Sequence, residues 1–214
     1  MRRTSVAAFA TVCVIVLLSV LPAHAENEYA GWRFRAWAGI TGRFVETDNA
    51  TFTDKTFGDS ATEVNGTGFG FGVDVERRFS KLLGLDLAVG YTGLDVDFTQ
   101  SLTTTTATDT LDVLPIWLAL NFHVVNTEKV DFWVGPQIAY VTWNDPLTFS
   151  APGQPDFDLE TEAHFPGVGF VLGLDWWLAK NGGLNFAFRF VDADANEEVL
   201  VDPTFVTVGY TWKF

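Results

Sequence analysis

The chain has one cysteine, Cys13, and it sits in an apolar leader rather than in the body of the sequence. Disulfides, on which many secreted domains depend, therefore cannot hold the remainder together. Cations are also scarce: 13 Lys and Arg stand against 27 Asp and Glu, for a formal net charge of −14. Nucleic acid is excluded as a partner, because phosphate contacts need clustered Lys and Arg. Beyond the leader no apolar run reaches the roughly 20 residues of a spanning helix, so a helical membrane protein is excluded too. Histidine is nearly absent, leaving His123 in NFHVV and His164 beside Glu162. Neither has a neighbouring Ser, and the base–nucleophile pair an enzyme would need is missing. We expect no enzyme and no cofactor. No segment has EF-hand spacing, which leaves any metal unassigned.

The leader, Met1 to Ala25, opens with Arg2 and Arg3, runs apolar from Val6 to Leu21, breaks at Pro22 and closes on Ala23-His24-Ala25. This is the order of a secretory signal, with cleavage predicted after Ala25. The expected mature chain, 26–214, is a single domain that is more acidic still by two charges.

What the chain does have is glycine, aromatics and strict alternation. In the last ten residues, FVTVGYTWKF, Val206, Val208, Tyr210, Trp212 and Phe214 alternate with Thr207, Gly209, Thr211 and Lys213. That period belongs to a strand with one apolar face. The same pattern recurs in Gly31 to Phe44, Gly66 to Phe79, Leu82 to Phe98, Leu111 to Val124, Val130 to Trp143, Ala163 to Leu178 and Leu184 to Val191. In the third segment the apolar phase slips beside Thr92-Gly93, which predicts a β-bulge. Pro136 forfeits a ladder hydrogen bond in the fifth.

Eight strands result, and the connections between them alternate long and short. The long ones are Glu46 to Gly66, Gln100 to Thr110, Asn144 to Glu162 and Asp192 to Asp202. A soluble sandwich has no reason to sort loops by parity, whereas outer-membrane barrels pair short periplasmic turns with long extracellular loops. The predicted fold is all-β: an eight-stranded antiparallel transmembrane up-and-down β-barrel in the bacterial outer membrane, expected to be monomeric.

Parity then assigns the inner face. Arg33, Arg35, Arg43, Asp74, Glu76, Arg78, Asp86, Trp117, His123, Asp131, Asp175 and Arg189 project toward the lumen. They either fill it as an ion-pair network or line a pore. The narrowness of eight strands favours the network, while inward glycines such as Gly39, Gly70, Gly72, Gly135, Gly169 and Gly173 leave room. The acidic residues of the long loops form a negative rim. It reads as a solvated surface, or as a holder of divalent cations that bridge to lipopolysaccharide.

Three stretches carry a family resemblance: Leu114-Pro115, LNFH at Leu120 to His123, and DFWVGPQIAYVTW at Asp131 to Trp143. With Gly167 to Asp194 and the ending DPTFVTVGYTWKF, they resemble the OmpW family over most of the mature chain, and OmpA-like and OmpX-like barrels share the motifs. OmpW resemblance implies a narrow, laterally opening channel for small apolar molecules, with the Leu114, Pro115 and Trp117 region nearest to a channel lining. OmpA/OmpX resemblance implies a structural or adhesive barrel with a plugged lumen. The ending Tyr210, Trp212 and Phe214 resembles the signal by which the barrel-assembly machinery recognises its clients. Outer-membrane lipids and lipopolysaccharide are the other partners implied. The family's His before the Leu-Pro pair is replaced here by Val113.

Overall fold

Segments of period two leave their backbone groups to be paired by neighbouring strands, and in hydrocarbon no group can be left over, so the sheet must close. The computed structural model describes residues 31–42, 51–54, 58–61, 65–100, 105–143, 147–149, 157–159, 164–192, 194–195, 199–200 and 204–214. Strand β1 is Gly31–Gly42, β2 Asn65–Arg78, β3 Leu83–Gln100, β4 Thr105–Asn126, β5 Val130–Trp143, β6 His164–Trp177, β7 Gly182–Asp192 and β8 Thr204–Lys213. Each pairs antiparallel with its sequence neighbours. Strand β8 also pairs with β1, from Arg33↔Lys213 to Gly42↔Thr204, which completes the barrel and abolishes its edges. Among the described residues no helix is long and apolar enough to cross a membrane, and the strands do the crossing.

Residues 79–82, 127–129 and 178–181 make the short turns. The Thr127 amide donates to the Val130 carbonyl at 2.8 Å, and the Ala179 amide donates to the Gly182 carbonyl at 2.9 Å. The long connections between β1 and β2, β5 and β6, and β7 and β8 each carry a small two-stranded hairpin: Thr51–Asp54 with Gly58–Ala61, Leu147–Phe149 with Phe157–Leu159, and Asp194–Ala195 with Val199–Leu200.

Two expectations are corrected. The stretch from Gln100 to Thr110 is not a loop: the β3–β4 ladder runs on to Gln100↔Thr105, leaving only residues 101–104 between the strands. Its threonines are β-branched and favour extended pairing. Nor is there a bulge at Thr92-Gly93, where the register with β2 passes unbroken through Gly70↔Thr92 and Phe69↔Gly93. The shift in register lies in β4 instead, between His123 and Val125, where Val124 is the extra residue. Pro136 behaves as expected on one side only. It pairs with Phe170 of β6, while the β4–β5 ladder skips from Ala119↔Gln137 to Phe122↔Val134. Pro115 likewise interrupts the β3–β4 ladder, which skips from Val89↔Ile116 to Thr92↔Val113.

The outer face is apolar. Ile40, Phe69, Phe71, Ile138, Val168 and Val208 are exposed there, as a lipid-facing band requires. Near the short turns Phe34 packs on Trp212 at 5.5 Å, and Trp212 on Tyr210 at 4.5 Å. Such rings belong at a membrane boundary.

Candidate functional site

The interior is built by the alternate residues of all eight strands, and it divides into two zones. The zone nearer the short turns is ionic. Here cross-strand pairing sets Glu76 opposite Asp86 and Asp131 opposite Asp175, like charges that repel when left alone. Arginines from β1 bridge both pairs. Arg35 reaches Glu76 at 2.6 Å, Asp175 at 3.0 Å and Asp86 at 3.5 Å. Arg33 reaches Asp175 at 3.2 Å and also pairs with Asp131. Arg78 holds Asp131 at 2.8 Å, and Arg189 holds Asp74 at 2.7 Å and Asp86 at 3.0 Å. Asn185 donates to Asp175 at 2.8 Å. All of these groups are buried.

His123 sits between two carboxylates, with Nδ1 at 2.8 Å from Asp131 and Nε2 at 2.6 Å from Glu76. Only a ring protonated on both nitrogens donates to both. In that state, among the described residues, the buried cations Arg33, Arg35, Arg78, Arg189 and His123 match the buried anions Asp74, Glu76, Asp86, Asp131 and Asp175 one for one. A matched set is what a low-dielectric interior tolerates.

The zone nearer the long loops is aromatic and aliphatic. Trp117 packs edge-on against Phe205 at 5.1 Å and tilts against Trp37 at 6.1 Å; Val113, Val141 and Val191 are buried as well, and Val171 clusters with Ala119, Trp133 and Ala187. Its boundary with the ionic zone is stitched by side chains that serve both: Trp37 Nε1 donates to Asp74 at 2.6 Å, and the Arg189 guanidinium lies 5.3 Å over Trp117. Arg35 stacks 4.7 Å over Trp133 in the same manner. Asn121, buried opposite Gly84 of β3, makes no side-chain hydrogen bond among the described residues.

The inward glycines do not leave open room. A Cβ at Gly72 would run into the Trp37 ring, one at Gly90 would lie 2.8 Å from Trp37 and 3.0 Å from Trp117, and one at Gly173 would run into Trp133. Glycine is required at these positions because tryptophans from neighbouring strands occupy the space.

Arg33, Arg35, Glu76, Asp86, Trp117, His123, Asp131, Asp175 and Arg189 thus all lie buried inside the barrel and are brought together. Arg43 lies outside the described residues, as do the side chain of His164 and most of the acidic rim. Tyr210 and Trp212 point outward, and Phe214 follows the last strand with its amide donating to the Trp32 carbonyl at 2.9 Å. Of the region offered as a channel lining, Pro115 and Trp117 are buried inside but Leu114 faces outward. Trp37 and Trp133 also lie buried on the inner face, in phase with Arg35 and Asp131 on their strands. The signal was there in their inward parity beside inward glycines.

A closed eight-stranded barrel with a lipid-facing apolar band and a charged, filled interior defines a small outer-membrane protein. Its place is the bacterial outer membrane. The chain belongs to the outer membrane protein beta-barrel domain family, whose model matches residues 10–214. Among solved structures it is similar to OprG from Pseudomonas aeruginosa, at 18% identity over 88% of this chain and 98% of that one, with a TM-score of 0.62. Neisserial surface protein A is 15% identical over 88% of this chain and 100% of its own, with a TM-score of 0.52. Outer membrane protein W of E. coli is 17% identical over 89% and 100%, with a TM-score of 0.49. At these identities the likeness is one of fold. No curated protein matches the chain in sequence.

Proposed function

We propose that the protein is a plugged barrel: a membrane-embedded platform that carries acidic loops at the cell surface and supports envelope integrity, with no passage along its axis. One observation supports this above the others. Both interior zones are packed with side chains from opposite walls, the lower by ion pairs of 2.6 to 3.2 Å and the upper by Trp37, Trp117 and Phe205. An apolar solute moving down the axis would have to separate buried ion pairs, each break costing about 3–5 kcal/mol.

On this reading Met1 to Ala25 is removed on export, Tyr210, Trp212 and Phe214 address the chain to the barrel-assembly machinery, and the mature protein is a monomer without catalytic function. The acidic loops then meet lipopolysaccharide through divalent cations. Replacing residues 144–162 by a short Gly-Ser linker tests the loop role. Magnesium-dependent binding of lipopolysaccharide by the purified protein is expected to fall while the barrel still folds, and unchanged binding removes the idea.

A second reading, lateral passage of small apolar molecules as in OmpW-like barrels, has one observation in its favour. Pro115 and Pro136 interrupt the hydrogen-bond ladders on the two sides of β4. If this wall opens, proteoliposomes take up a small aromatic hydrocarbon faster than empty vesicles, and Pro136→Val slows them. Uptake equal to that of empty vesicles eliminates it.

A further inference from the structure

Of the arginines among the described residues, Arg33, Arg35, Arg78 and Arg189 are buried and bonded to carboxylates. Arg77 is the exception. The strand period of two sends adjacent Arg77 and Arg78 to opposite faces. Arg78 is held inside by Asp131 and the Lys81 carbonyl, although its Nε, like that of Arg77, is buried without a partner. Arg77 faces the membrane, makes no ion pair among the described residues, and lies with its guanidinium 5.2 Å over the Trp32 ring. Its Nε is buried without a hydrogen-bond partner. A cation held against the barrel wall and left unpaired by the protein calls for an anion from outside it.

The position of this pair says which anion. Trp32↔Arg77 is the penultimate rung of the β1–β2 ladder before the turn at residues 79–82, so it lies at the periplasmic boundary. The next outward rung toward the membrane centre, Phe34↔Val75, is apolar, and Arg77's partner on β3 is Leu85. Along this ladder the outward rungs therefore change from apolar to cationic at Arg77. A guanidinium stacked on indole keeps its N–H fork free for a phosphate, and Trp itself favours the interfacial depth. The short turns at this end carry Lys81, Lys129 and Lys180 against Glu128, while the chain terminus at Phe214 lies beside Trp32. That balance selects a net negative headgroup over a zwitterionic one.

We infer that Arg77 and Trp32 form a headgroup site for an anionic phospholipid of the periplasmic leaflet. The phosphodiester accepts from the guanidinium edge, the indole supports the opposite face, and the acyl chains run up over Phe34, Val75 and Leu85.

Native mass spectrometry of the purified mature protein tests the site, with phosphatidylglycerol and phosphatidylcholine offered in separate detergent mixtures. We expect preferential retention of phosphatidylglycerol, lowered about fivefold by Arg77→Gln, the factor that one basic residue contributes near an anionic surface. Arg77→Lys, which keeps the charge and loses the fork, should fall between the two, and it carries the test if the Gln variant fails to fold. Lys129→Gln, at another turn, should bind like the parent protein, and added inorganic phosphate should not displace the lipid. Equal retention of the two lipids, parental binding by both Arg77 variants, an equal loss in Lys129→Gln, or displacement by bare phosphate would each overturn the proposal.

Discussion

The two interior zones fill the same barrel by different physics. Below, Arg35 holds three carboxylates at 2.6 to 3.5 Å, and each bond matters because the partner left behind is a buried charge. Above, Trp37, Trp117 and Phe205 fill space against glycines and valines, and what matters there is volume. An ionic filling is rigid toward loss of one group and indifferent to small gaps. An aromatic filling is indifferent to charge and intolerant of an added methyl. The difference shows how a narrow barrel can be stoppered twice, with each zone vulnerable to a different substitution.

The largest effect should come from the ionic zone. Arg35→Leu leaves Glu76 and Asp175 without their main counter-charge and should cost about 3–5 kcal/mol in urea unfolding from lipid vesicles. A loss below about 1 kcal/mol would mean that water already screens this zone. Trp117→Ala, which empties the upper zone, should cost about 3–5 kcal/mol or slightly less if Phe205 collapses inward. The two single changes should add in the double variant if the zones are independent, and should fall short of additivity if Arg189, which touches Trp117, couples them. Gly173→Ala comes next. Its methyl meets the Trp133 ring, and about 1–3 kcal/mol of overpacking should show in the same unfolding series. His123→Gln should cost about 1–3 kcal/mol, because one amide NH2 cannot serve both Glu76 and Asp131. Lys129→Gln, on a solvated turn, should stay within about 0.5 kcal/mol of the parent.

Period two made the inner face legible from sequence. Arg33, Arg35, Asp86, Asp175 and Arg189 could be placed because a strand residue has only two faces to choose between. Which inner residues meet could not be read the same way, since it depends on register around several strands. Trp37 of β1 fits into gaps at Gly72 of β2 and Gly90 of β3 only through the pairings Trp37↔Gly72 and Gly72↔Gly90. For that reason the inward glycines suggested space when they are in fact sockets. The apolar phase change at Leu94, Val96 and Phe98 imitated a bulge in a continuous ladder. The real irregularity left a fainter mark, the consecutive outward residues Val124 and Val125. At the threonines that open β4, from Thr105 to Thr110, polarity suggests a loop where β-branching makes a strand.

Single-channel recording of the mature protein in planar bilayers bears most directly on the doubly stoppered interior. A silent membrane at neutral pH is expected for the parent protein and for Arg35→Leu alone, and ion-conducting events once Arg35→Leu is combined with Trp117→Ala, which loosens both zones. Steady, discrete conductance from the parent protein itself would contradict it.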